Sequence, residues 1–138
     1  MADRDDSHIR SGLERIVSIA QDVYNTLGSG FSEDVYDRAL QVGLRTANSP
    51  YESQKVVELK YRGYYVGEGY PDLVVWFETE RVVIELKVIG GDIGPCEEQQ
   101  LPNYLRLLDA KRGLLINFQS PGRKQGGTSM DVKEVCAA

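Results

Sequence analysis

The chain has 138 residues, 41% of them apolar and 27% charged, with a net charge of −5. That length fits one domain with a true core, and no apolar run approaches the ~18–20 residues of a membrane span. The negative charge argues against a protein that coats nucleic acid nonspecifically, since such binding is carried by phosphate neutralisation. Two cysteines, Cys96 and Cys136, cannot build a disulfide framework. With His8 as the only histidine, structural zinc and histidine-dependent triads are discounted. The opening MADRDDSHIR lacks the apolar stretch of a signal peptide, which leads us to expect a cytoplasmic protein with no membrane association.

Charge is unevenly spread. Residues 1–37 hold eight acids and three bases, whereas residues 106–124 hold Arg106, Lys111, Arg112, Arg123 and Lys124 against Asp109 alone. One basic surface on an acidic protein is an expectation; ordinary solvated charges are the plain alternative.

In chain order, Ile9, Leu13, Ile16, Ala20, Val23 and Leu27 recur at steps of four and three, which predicts an amphipathic helix ended by Gly28. After Gly28 and Gly30, Ser32 is the N-cap of a second helix to about Ala47, with Glu33 and Asp34 favoured in its first turn by the helix dipole. Glu33, Tyr36, Asp37 and Leu40 share a face of it. Beyond Asn48-Ser49-Pro50 the period becomes two, and strands are expected near 54–61, 63–67, 71–77 and 81–88, with turns at Arg62-Gly63 and Thr79-Glu80. A helix to about Leu108 follows the glycine breaks, then the apolar strand GLLINF at 113–118, whose character predicts a central, two-sided position. QSPGRKQGGTSM reads as a polar loop, and residues 132–135 as a short edge strand. The order α-α-β-β-β-β-α-β-(β) describes one α/β domain over residues 1–138, a mixed sheet flanked by helices.

Two Glu-Leu-Lys triplets stand in this pattern, at residues 58–60 and 85–87. In a strand the Glu and the Lys of each lie about 6–7 Å apart on one face. Geometry alone cannot separate them. Magnesium, however, is held by one or two carboxylates with water and phosphate completing its shell, so a second acid is needed. No Asp occurs in the twenty residues before Glu58, whereas Pro71-Asp72 precedes Glu85 by thirteen. A two-residue turn at Thr79-Glu80 sets Asp72 opposite Lys87; a slip of one two-residue step sets it opposite Glu85. Either register gathers Asp72, Glu85 and Lys87 on one face at one end of a hairpin. Asp72 and Glu85, with the Leu86 carbonyl, would then hold a divalent cation that polarises a phosphate and acidifies a water, and Lys87 would add a compact positive charge beside it. Solvated charge on an exposed strand is the plain reading of any lone Glu-x-Lys, and Glu58-Leu59-Lys60 is assigned to it. The apolar flanks DLVVWF and VVIEL make that reading costly for the second triplet.

Pro71-Asp72 followed by Glu85-Leu86-Lys87 resembles the motif of the PD-(D/E)XK nuclease superfamily. Within it, Gly30-Phe31-Ser32-Glu33-Asp34-Val35-Tyr36 is similar to the motif of the GxxExxY proteins. Gln100-Leu101-Pro102-Asn103-Tyr104-Leu105 and residues 113–118 resemble that family's later blocks, so that the match covers about residues 9–118. The resemblance implies a restriction-endonuclease-like core, a four-stranded mixed β-sheet flanked by helices. It implies a Mg2+- or Mn2+-dependent nuclease acting on nucleic acid, DNA before RNA, in which Glu33 approaches the metal site and Gln100 faces Lys87 and the water. Tyr36 and Tyr104 are expected as core or rim aromatics. Pro102 departs from the pattern, because it must either lie in a first helical turn or kink the helix. A binding or regulatory module that keeps the fold without turnover is the alternative, and a homodimer is compatible with both.

Overall fold

The computed structural model describes residues 2–77, 80–119 and 130–137, with residues 2–8 as backbone only. Helix α1 runs over Ala2–Leu27 and α2 over Glu33–Thr46. Strands β1 (Tyr51–Ser53), β2 (Val57–Tyr61), β3 (Tyr64–Gly69), β4 (Leu73–Phe77) and β5 (Glu80–Lys87) follow, then α3 (Pro95–Glu98), α4 (Gln100–Leu107), β6 (Arg112–Asn117) and β7 (Asp131–Cys136).

The main sheet has five strands in the order β1-β4-β5-β6-β7, one more than the four expected, with β5 and β6 parallel and every other pair antiparallel. Its extra member is β1, three residues between the Asn48-Ser49-Pro50 break and the strand expected from residue 54. Strand β7 is the expected edge strand. Strand β6 is paired on both sides, as its unbroken apolar run requires. Strands β2 and β3 leave the main sheet and form a separate hairpin.

Alternation along the strands gives the sheet two apolar faces. On one, Leu73, Val75, Val82, Ile84, Leu86, Leu114 and Ile116 pack with α1 and α2. On the other, Val74, Val83 and Leu115 meet Leu101, Tyr104 and Leu105 of α4 and Val57 of β2. The sheet is therefore sandwiched between helices.

The stripe of α1 holds for Ile9, Leu13, Ile16, Ala20 and Val23, but its last member is Tyr24, not Leu27. Leu27 is 36% exposed. The 3.6-residue period carries it past the buried arc. Gly28 does end the helix, at φ +75. Ser32 stands at the N-cap of α2 with extended backbone, though its side chain makes no capping hydrogen bond. Tyr36 is fully buried: its ring stacks on Phe118 at 4.4 Å, and its hydroxyl donates to the Gly28 carbonyl at 2.6 Å. Pro102 sits at the third residue of α4, where the missing N–H would have had no helical acceptor; a break at Gln99 separates α3 from α4, so the helix restarts rather than kinks.

Candidate active site

The β4–β5 hairpin pairs Phe77 with Glu80, Trp76 with Arg81 and Leu73 with Ile84. Glu80 is thus the first residue of β5 and not part of the turn, which corrects the Thr79-Glu80 assignment; Thr79 itself lies outside the described residues. The ladder follows the slipped register. Carried one residue further, it sets Asp72 across from Glu85, and hydrogen bonds bear this out. The Asp72 N–H donates to Glu85 Oε1 at 3.2 Å, and the Leu86 N–H donates to Asp72 Oδ2 at 2.7 Å. The Asp72 carbonyl in turn accepts from the Gln54 N–H at 3.0 Å, which anchors it to the end of β1.

One oxygen of each carboxylate is therefore committed to backbone. Among the described residues, no hydrogen bond engages the second oxygen of either, which leaves it open to a ligand.

Burial first, then the Asp72 charge, pushes the Glu85 carboxyl up to about 7. Burial also raises Asp72 to about 6, with the charges of Asp37 and Glu33 adding to it and the Leu86 N–H working against it. The charge of Lys87, half-buried two residues along β5, opposes both increases. Two carboxyls held above their ordinary values by burial and by neighbouring acids form a site that gains from a cation. The donor set is all oxygen and of two acids, the kind a hard divalent ion such as magnesium takes with water and phosphate. Among the described residues no three of His, Cys, Asp and Glu cluster closely enough to hold an ion by themselves. The set suits a cation that keeps part of its hydration.

Glu33 opens α2 and is exposed; it reaches the pair as a long-range charge. Asp37, one turn on, acts more strongly on Asp72 than Glu33 does. Its membership of the acidic face was legible in the four-residue spacing, but its role beside Asp72 was not assigned. Asp37 also accepts from Gln41 Nε2 at 2.6 Å. Gln100 is the exposed first residue of α4, on the same side of the sheet as the carboxylates and one turn before Tyr104. Tyr104 is buried against the backbone of Gly69, where an added Cβ would lie 2.6 Å from its ring, and burial followed by the Glu85 charge raises its phenol.

Asn117 was missed within its apolar strand. It faces Lys87 in the β5–β6 ladder and is fully buried. Its Oδ1 accepts from the N–H groups of Ile89 and Gln119, each at 3.0 Å, and its Nδ2 donates to the Gly91 carbonyl at 2.9 Å. The chain leaving Lys87 is clasped by this amide. Asn117→Ala leaves the buried Gln119 N–H and the half-buried Ile89 N–H without their acceptor, and thermal unfolding should register a loss of about 1–3 kcal/mol.

The basic surface anticipated at residues 106–124 is partly neutralised. Lys111 pairs with Glu80 at 3.5 Å and Arg112 with Glu134 at 3.3 Å, while Arg123 and Lys124 lie outside the described residues. Glu58 and Lys60 lie on the β2–β3 hairpin with both side chains exposed and 3.8 Å apart, the solvated pair expected of them. No helix among the described residues is long and apolar enough to cross a membrane.

No match is found among curated proteins. Among solved structures, the crystal structure of SSO0001 is similar with a TM-score of 0.54 and 24% identity, covering 75% of this chain and 49% of that one. The chain spans about half the length of that protein, and the likeness is one of fold. Residues 11–129 match the family described as the PD-(D/E)XK nuclease superfamily. The mixed sheet between helices, with Asp72 facing Glu85 and Lys87 two residues beyond, has the restriction-endonuclease-like form of that superfamily, and the chain belongs to it.

Proposed function

We propose that the protein is a divalent-metal-dependent nuclease that hydrolyses phosphodiester bonds, with DNA as substrate, and that it belongs to the GxxExxY group of its superfamily. The carrying observation is the hydrogen-bonded pairing of Asp72 with Glu85 in a chain of nuclease ancestry. Asp72 and Glu85 are the metal ligands, through the oxygens their backbone donors leave open, and the ion is Mg2+ or Mn2+. Bound there, such an ion supplies Lewis acidity to a phosphate oxygen and lowers the pKa of water.

The chain's own groups do the rest. Lys87 points its ammonium along the same face as Glu85 and holds the attacking water, then offsets the negative charge that grows on phosphorus as the new P–O bond forms and the old one breaks. Gln100 orients that water from α4. Glu33, with Asp37 beside it, stands at the rim as a proton acceptor and as a second attraction for cations. The buried pair excludes bulk water from one side of the reacting phosphate, which strengthens each of these interactions. The reducing cytoplasm suits two exposed free thiols, Cys96 and Cys136. A homodimer would let two such sites cut both strands of a duplex.

Incubating the chain with plasmid and oligonucleotide substrates in Mg2+, Mn2+ or EDTA tests this reading. Cleavage that needs the metal and falls below detection in Asp72→Ala and Glu85→Ala is the expected result. Binding without turnover under every metal would identify a silent nuclease-fold module, and cleavage unchanged in both variants would place the chemistry elsewhere.

A further inference from the structure

The β2–β3 hairpin exposes an unusual amount of aromatic surface. Tyr61, Tyr64, Tyr65 and Tyr70 are each more than half exposed. Arg62 and Gly63, both at positive φ, make the two-residue turn between Tyr61 and Tyr64.

The register sorts these residues onto two unlike faces. Val57 pairs with Gly69, Leu59 with Gly67 and Tyr61 with Tyr64 on the first; Glu58 pairs with Glu68 and Lys60 with Tyr65 on the second, with Val66 the extra residue of a bulge. Both acids lie on the second face. There the hydroxyls of Tyr65 and Tyr70 are engaged by Glu68, and Lys60 by Glu58. No acid interrupts the first face. Its outer end carries Tyr61, Tyr64, the most exposed at 76%, and the Arg62 guanidinium 5.2 Å from the Tyr61 ring centre. Its middle is flattened by Gly67, where an added Cβ would find one atom, Leu59 Cδ1, at 4.0 Å.

This face leads into the candidate active site. Val57 is buried in the same cluster as Val74, Val83 and Tyr104, and Gly69 lies under the Tyr104 ring. Asp72 follows three residues later. From Tyr61 to Val57, the partner of the bulged strand, an extended chain covers about 14 Å, the rise of about four stacked nucleotides.

We infer that this face of the hairpin is a stacking platform for an unpaired nucleotide strand that leads toward the scissile phosphate; the inference rests on the nuclease reading. Flat exposed rings accept the π-faces of bases, which a duplex hides in its own stack. Arg62 adds a guanidinium that can stack or pair with phosphate, on a face free of repelling carboxylates. A duplex would instead ask for a row of cations, and Lys60 is already matched by Glu58 on the far face.

The test is fluorescence anisotropy of the full chain in EDTA with a labelled 12-nucleotide deoxyribonucleotide strand and with its duplex. Tyr61→Ala and Tyr64→Ala should each weaken single-strand binding about tenfold and together about a hundredfold, by the usual worth of a stacked base. Tyr61→Phe and Tyr64→Phe should stay within about twofold, because the ring is what binds. Duplex binding should be indifferent to all four. Both side chains are exposed, so unchanged thermal unfolding confirms that each variant folds. Alanine variants that bind single strands as the wild type does overturn the platform while leaving metal-dependent cleavage to stand. Tyrosine-dependent binding without cleavage under Mg2+ or Mn2+ upholds the platform and removes the nuclease reading. A wild type that binds no single strand, or a hairpin whose alanine variants merely convert a dimer to monomer in light scattering with binding unchanged, overturns the inference.

Discussion

Lys87→Ala should lower metal-dependent cleavage by about 10^3-fold or more while leaving Mn2+ affinity within a few-fold of the wild type. The two parts of this result belong together. Lys87 is no ligand in the proposed site; it supplies charge where negative charge develops, and removal of one such group costs about 3–4 kcal/mol of transition-state stabilisation. Loss of a positive neighbour also makes the Asp72 and Glu85 carboxyls harder to ionise, since the Lys87 charge lowers both. The pH at which cleavage reaches half its maximum should therefore move upward in the variant. Lys87→Arg tests the geometry. A planar fork on a longer side chain keeps the charge but misplaces it, so it should restore the pH midpoint and little of the rate. Single-turnover cleavage across pH, with Mn2+ titration by calorimetry, measures both. Equal losses of cation affinity and rate in Lys87→Ala would make it a structural rather than a catalytic group.

The second large effect concerns Glu85. Its carboxyl, pushed up to about 7 by burial and by Asp72, is raised above the value it takes in the unfolded chain. A carboxyl raised on folding binds its proton more tightly in the native state. It lowers stability as pH climbs from about 4 through 7, and the full cost is present above that window. In metal-free buffer at pH 8, Glu85→Gln should accordingly be more stable than the wild type by about 3 kcal/mol, several degrees in Tm, and the difference should vanish near pH 4. The amide oxygen can still accept from the Asp72 N–H, so the strand pairing survives. Added Mn2+ reverses the order, because an ion that binds only the native wild type raises its Tm alone. Below pH 7 a proton competes with the ion at Glu85, and below 6 a second competes at Asp72, which burial holds at about 6. Wild-type Mn2+ affinity should fall about tenfold from pH 7 to 6 and more steeply below. Calorimetry in EDTA and in Mn2+, from pH 5 to 8, checks both signs.

Much of the fold could be read from periodicity, and the exceptions have physical causes. Arg62-Gly63 was a secure turn because its tight geometry calls for positive φ at both positions, and the structure shows φ 51 and 82 there. Alternation in residues 57–69 revealed two strands, yet it reports which side chains share a face, not which strand lies alongside; the departure of β2 and β3 from the main sheet was hidden for that reason. Strand β1 is only three residues, too short for any period to show. In the β4–β5 hairpin, apolar residues on both faces made register ambiguous by two, and the carboxylates' hydrogen bonds to the opposing backbone resolve it. Asp72, Glu85 and Lys87 stand out in the sequence because only one of two Glu-Leu-Lys triplets has an aspartate a hairpin's length away. Asp37 shared its face with Glu33 but had no visible target until α2 was seen beside Asp72. A lone Asn in GLLINF gave no hint that Asn117 would hold the backbone beyond Lys87.

In the proposed site Asp72 and Glu85 share one ion, and anomalous diffraction from crystals soaked in Mn2+ tests that directly. A single peak within about 2.0–2.4 Å of a carboxylate oxygen from each residue, lost in crystals of Glu85→Gln, is the expected result. A peak elsewhere, or a peak at Asp72 that survives in Glu85→Gln, would contradict it.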